Sequence, residues 1–374
     1  MLFKLINQDN NRQKLHHTIE NHRVANAYIF HGPEGCGHEG FALEFAALLN
    51  CLSPDAKPCG TCLSCKKMRW LEHMNLELVF PIPRKKEATH EDPPLKGFSN
   101  AEIEEIQTAI RAKAENPYTK IQISGANVIP INFIREIKHN IYLSGSENGW
   151  KVVVVLDADL MKEEAANAFL KILEEPPPRS TIILTTTNYE AILPTIRSRC
   201  QPIFFPPLTD EHVGRFLTEQ GCAAESIPLI IRLATGNIER ALQLAQSDIS
   251  EMKNLTLEIM RAAAVMHIEK TMLLVQQLAE LQRKDEQKFD CIMSSLLFWI
   301  RDAVILREKA DQPLTHPDLQ TELRNFTTRF TGFDAQRIKF SVEKCIDFIN
   351  RNVYINLALL NLFFELNQAI NAGK

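Results

Sequence analysis

Residues 32–39 read Gly-Pro-Glu-Gly-Cys-Gly-His-Glu, the glycine spacing of a phosphate-binding loop with unsuitable side chains on it. Gly32 and Gly37 stand five positions apart, as a Walker A loop requires, and Gly35 lies between them. Such glycines let backbone N–H groups face an anion at a helix N-terminus. The position that wants Lys for the β/γ-phosphates holds His38, and the position that wants a magnesium-binding hydroxyl holds Glu39. An imidazole is shorter and mostly neutral at pH 7, and a carboxylate repels phosphate. The frame of a nucleotide site is present and its chemistry has been removed.

A second group is Cys51, Cys59, Cys62 and Cys65, spaced C-x7-C-x2-C-x2-C. Four thiolates surround one Zn²⁺ tetrahedrally and leave no open position for substrate, so a structural zinc is expected. Pro58, Gly60 and Thr61 suit the turns between the sulfurs. Free thiols on a surface loop are the alternative. An odd total of nine cysteines, four of them crowded together, argues for metal over disulfides in a reducing compartment.

These residues need elements to position them. Asn26–Phe30 reads as a buried strand before the loop, and 40–51 as the helix after it. Val152–Leu156 is an unbroken apolar run, the pattern of a strand buried on both faces of a parallel sheet. It ends in Asp157, where an acid would hold magnesium, but Ala158 follows where a water-polarising Glu is wanted. A further strand over 181–187 ends in Asn188, at the tip where a γ-phosphate or water would sit. A last strand covers 203–205, and Pro206-Pro207 marks a boundary. Helices are expected over 8–24, 131–143, 163–175 and 193–199. From 208 onward the pattern is helical, with long amphipathic stretches over 251–282, 285–309, 316–329 and 335–371. Residues 353–360 are apolar enough to predict burial on most sides.

Residues 81–127 form a polar, proline-rich excursion to which the sequence assigns no role. Ser99 and Glu102 predict a capping box at the start of its one helix, Asn100–Glu115. Arg84-Lys85-Lys86 reads as a solvated run rather than a phosphate contact, and His90-Glu91-Asp92 as loop.

A chain of 374 residues allows two or three domains. With 45% hydrophobic and 24% charged residues the composition is that of an ordinary globular protein. A net charge of −4 leaves any nucleic-acid contact local or made through partners. No apolar run spans a membrane and no signal-like segment is evident, so a cytoplasmic location without a membrane partner is expected.

Four stretches together resemble the AAA+ clamp-loader family of bacterial DNA polymerase III. They are Ala27–Gly35, the four-Cys module, Asn167–Pro177 with its Glu174-Glu175-Pro176-Pro177, and Leu193–Gln201 with its Ser198-Arg199-Cys200. The resemblance implies an α/β AAA+ fold: a RecA-like parallel-sheet core over 1–206, with a zinc insertion near 51–65 and the polar insertion near 81–127. A helical lid over 207–249 and an all-α collar over 250–374 would follow. Such subunits form hetero-pentameric rings, joined mainly by their collars, that use ATP to place a sliding clamp on primed DNA. Arg199 matches the arginine finger that acts in trans on a neighbour's nucleotide. Asn188 matches sensor 1, Arg240 matches sensor 2, and the four cysteines match the zinc ligands.

Departures at His38, Glu39 and Ala158 imply a subunit without intrinsic ATPase activity, in which ATP binding is doubtful. Its partners would be the other loader subunits, the clamp, and DNA through the complex. The alternatives are an active motor-type ATPase of the same loader and a zinc-containing DNA-binding module that borrows the fold.

Overall fold

The computed structural model describes residues 2–54, 57–85, 92–143, 149–351 and 353–373. It divides into two compact units, one of residues 1–212 with 236–239, the other of 213–235 with 240–374. Most of the stretch expected as a separate lid falls in the second unit.

The first unit is built on a parallel sheet of β1 (Ala27–His31), β2 (Leu76–Val79), β3 (Lys151–Val155), β4 (Ser180–Thr186) and β5 (Gln201–Phe204). Their order is β2-β3-β4-β1-β5, and every neighbouring pair is parallel. The architecture is the expected α/β class, a parallel sheet flanked by helices and followed by a helical C-terminal part. β2 was not foreseen. It is four residues long, only its last residue is buried, and it directly follows the cysteine module. Such a segment has too little apolar pattern to read as a strand.

The helices of this unit are α1 (Asp9–Glu20), α2 (His38–Asn50), α3 (Leu63–Arg69), α4 (Asn100–Glu115), α5 (Ile131–Leu143), α6 (Glu163–Glu174) and α7 (Pro194–Arg197). α4 begins in the predicted capping box, the Ser99 side chain accepting from the Glu102 N–H while Glu102 accepts from the Ser99 N–H. α5 and α6 cover one face of the sheet, where Ile137, Phe169 and Ile172 are fully buried against Ile182 and Leu184. Burying a side chain such as Phe169 contributes roughly 1.5–3 kcal/mol. Beneath the loop, Tyr28 and Phe45 pack edge to face at 5.5 Å, and Phe30 and Phe205 lie 5.2 Å apart. Because β4 is central, between β3 and β1, the ends of β1, β3 and β4 place the loop, Asp157 and Asn188 along one edge of the sheet.

The helices that follow are α8 (Asp210–Glu219), α9 (Ile227–Ala234), α10 (Ile238–Gln246), α11 (Ile249–Val265), α12 (Ile268–Lys284), α13 (Glu286–Glu308), α14 (Gln320–Arg329), α15 (Ala335–Asn350) and α16 (Ile355–Ile370). Two predicted long helices are each a pair. The stretch 251–282 breaks where Met266 takes a left-handed conformation (φ 56°) and the His267 side chain caps α12. The stretch 335–371 breaks between α15 and α16. In the second unit Asp302, with no exposure, accepts from the backbone N–H groups of Thr315 and His316 and from the His316 ring, 2.8–3.0 Å away.

The burial expected for residues 353–360 is corrected. Ala358 and Leu359 are buried, but Tyr354 is 71% and Leu357 61% exposed, and Phe364 further along the helix is 55% exposed. α16 buries one stripe and leaves a second apolar stripe uncovered in the single chain.

Candidate functional site

β1 runs straight into the glycine loop, and α2 starts at His38, so His38 and Glu39 occupy the first turn of the helix. The glycines are needed by the backbone. A Cβ on Gly32 would collide with the Phe205 carbonyl, and one on Gly35 (φ 70°) with Asn237. Gly37 caps α2 at φ 94°. Packing by itself therefore requires glycine at these positions.

The side chains of Cys36, His38 and Glu39 turn inward. His38 is 4% exposed, and burial pushes its pKa down to about 4, so the ring is neutral. Its Nδ1 lies 3.2 Å from Cys36 Sγ, and burial pushes the Cys36 thiol up to about 12. Glu39 is 7% exposed and paired with Lys113, which has no exposure at all. Burial works against the Glu39 charge, but the Lys113 ammonium outweighs it and holds the carboxyl below the usual range.

Asp157 sits at the end of β3 with φ 48°, a strained conformation for a residue with a side chain. Its carboxylate lies 3.2 Å from Lys120 Nζ, which also reaches Glu34 at 3.6 Å. Burial and the nearby Glu39 raise the Asp157 pKa, with Lys120 opposing. For Lys120, burial works against the charge and Asp157 overrides it, so its pKa is raised. Ala158 opens a short 3₁₀ turn, and Asp159 beyond it accepts from the Thr186 hydroxyl at 2.5 Å. Asp159 is thereby committed to β4. Asn188 is exposed at the tip of that strand, its backbone N–H donating to Thr186 Oγ1 at 2.9 Å.

Lys113 and Lys120 come from the insertion that the sequence left without a role. Together with Pro117 and Tyr118 they cover the loop, leaving a space of about 20 Å³. That is room for about one water. The missed signal is legible in α4. Lys113 follows Ile103, Ile106 and Ile110 at helical spacing, so a lysine occupies the apolar stripe. Elsewhere in the insertion Lys85 binds Glu102 at 2.5 Å, so it is engaged within the protein rather than solvated. Lys86, His90 and Glu91 lie outside the described residues.

The structure brings the loop, Glu39 and Asp157 together. Arg199 stands apart, exposed after α7, with Nη2 2.7 Å from Glu174 Oε1 and Nη1 donating to the Thr195 carbonyl. Arg240 belongs to the second unit, where its guanidinium lies 3.7 Å from Cys291 Sγ.

The sulfurs of Cys51, Cys59, Cys62 and Cys65 lie within 4.8 Å of one another. Cys59 and Cys65 are 3.9 Å apart, against ~3.8 Å for two thiolates on one tetrahedral zinc with ~2.3 Å bonds. Backbone N–H groups of Cys59, Cys62 and Cys65 point at Cys51, Cys59 and Cys62 sulfurs at 3.3–3.4 Å, the pattern that stabilises thiolates. The donor set and its spacing fit a structural metal.

A family model described as "DNA polymerase III, delta subunit" matches residues 7–209. The delta' subunit of DNA polymerase III from Bacillus subtilis (strain 168) is 25% identical over 358 residues, covering 95% of this chain and 94% of that protein. The delta' subunit from Escherichia coli (strain K12) is 34% identical over 132 residues, 35% of this chain and 40% of its own length. The gamma/tau subunit from Mycobacterium tuberculosis (strain ATCC 25618 / H37Rv) is 26% identical over 241 residues, 63% of this chain but 34% of its own length. Among the described residues, no helix is long and apolar enough to cross a membrane.

Proposed function

Because the chain belongs to the delta-prime clamp-loader family of DNA polymerase III, we propose that it is a non-hydrolysing subunit of the loader. It helps place the sliding clamp on primed DNA during replication and lends Arg199 to a neighbour's nucleotide site. The observation that carries this reading is the pairing of Glu39 with Lys113. A buried ion pair stands where a hydroxyl would hold magnesium, and the phosphate space is down to about 20 Å³.

Arg199 supports the second half of the reading, since a guanidinium held at the surface, in a weak exposed pair with Glu174, is accessible to another chain in a way the buried loop is not. The uncovered apolar stripe of α16, with Leu357 and Phe364, and Tyr354 just ahead of the helix, fits assembly with the other loader subunits. The cysteine site is read as zinc in a purely structural role. The whole assembly works in the cytoplasm.

A gamma/tau-like motor is the second reading, favoured by the likeness to the gamma/tau subunit over 241 residues. MgATP binding and turnover by the isolated chain separate the two. Saturable, magnesium-dependent turnover supports the motor; none supports the silent subunit.

A further inference from the structure

The acid–base signs of the loop site are exchanged relative to a nucleotide site. There, the loop supplies a cation and the ligand supplies negative charge. Here the loop supplies a carboxylate, Glu39, beside the acid at the end of β3, Asp157, that such a site already carries. The positive charge arrives from outside the loop, on Lys113 and Lys120. We propose that segment 113–120 is the permanent ligand of this site, an intramolecular occupant that the charge-inverted loop binds in place of magnesium and nucleotide. The inference deepens the proposed function and rests on its reading of the site as silent.

The fit is specific. Lys113 is fully buried and Glu39 nearly so. Either charge alone in that position would be strongly unfavourable, so each is tolerated because the other is there. Lys120 is held by its ammonium, which pairs with Asp157 and reaches Glu34, and by its backbone N–H, which donates to Glu239 at 2.9 Å. Tyr118 closes the space between the two lysines. Its ring approaches the Gly37 backbone, and its hydroxyl accepts from the Ile6 N–H at 2.7 Å. A phosphate could enter only by displacing two ammonium–carboxylate pairs, and the carboxylates left behind would repel it.

Two measurements on the full chain test this. In the first, lysines are acylated with a water-soluble amine reagent and followed one by one by mass spectrometry. Lys113 should react at least roughly tenfold more slowly than Lys284, and millimolar MgATP should not change its rate. The side chain of Lys284 is 73% exposed. Reaction as fast as that of Lys284, or protection that appears only with MgATP, overturns the proposal. In the second, melting temperatures are compared for Glu39→Met, Lys113→Met and the double variant. Each single change leaves a lone buried charge and should lower the melting temperature by roughly 10 °C. The double change removes both charges and should cost less than either; a fall equal to the sum of the two overturns the pairing. The two readings fail separately. MgATP turnover with Lys113 still protected sinks the silent-subunit reading alone. Fast Lys113 acylation without MgATP binding sinks the occupant alone.

Discussion

The Arg199 guanidinium is held 2.7 Å from the Glu174 carboxylate, so the arginine of Ser198-Arg199-Cys200 is tied to the glutamate of the Glu-Glu-Pro-Pro stretch. Two sequence features 25 positions apart therefore meet at one surface point. Both side chains are substantially exposed, and such a pair contributes only ~0–1 kcal/mol. Arg199→Ala should accordingly leave the melting temperature nearly unchanged and lower ATP turnover only when the chain is assembled with the other loader subunits. Assembled turnover equal to that of the unmodified chain would rule out the finger role.

The four-cysteine cluster makes a different kind of prediction. Purified without chelator, the chain should carry one equivalent of zinc by elemental analysis. Cys65→Ser should reduce that content and destabilise residues 51–65, because Cys65 is buried at the start of α3. Less than an equivalent in the unmodified chain would count against the site.

Gly32 and Gly221 form a matched contrast. Gly32→Ala drives a methyl group into the Phe205 carbonyl, a backbone atom that cannot step aside. It should cost at least ~2 kcal/mol in urea unfolding. Gly221 has φ 78° with nothing within 4 Å of its Cβ position, so Gly221→Ala meets only backbone strain of about 1 kcal/mol. Equal costs would mean that the loop is not fastened to Phe205.

Acid should weaken the protein through His38. Its folded pKa is lowered from 6.5 to about 4, so between those values the unfolded chain binds more protons than the folded one. The contribution is fully present above pH 6.5 and is lost progressively as pH falls towards 4. Between pH 6.5 and 5 the loss is about 2 kcal/mol. His38→Gln should flatten the urea-derived stability curve over that interval relative to the unmodified chain, and parallel curves would exclude His38 as the cause.

Much of the core was legible because its signals are dense. Val152–Val155 could only be a doubly buried strand, and Ser99 with Glu102 fixed the start of α4. The four cysteines announced their own convergence. What escaped detection depends on distant partners. β2 is defined by pairing with β3 rather than by its own residues. The break at Met266 turns on a single backbone conformation within a continuous apolar pattern. The exposure of Tyr354 and Leu357 cannot be told from burial by hydropathy, which reports preference for an apolar neighbour and not whether this chain provides one. The partnership of Lys113 with Glu39 spans 74 positions, and neither residue alone suggests the other.

The Lys113–Glu39 and Lys120–Asp157 pairs also bear on what the protein is able to sense. A ligand carried on the same chain is present at a fixed effective concentration, set by the tether rather than by the surroundings. On the proposed reading, occupancy of this site would stay constant through every swing in the ATP supply. Within an assembly whose other members gain and lose nucleotide, this chain would be the fixed reference against which their changes of state are registered.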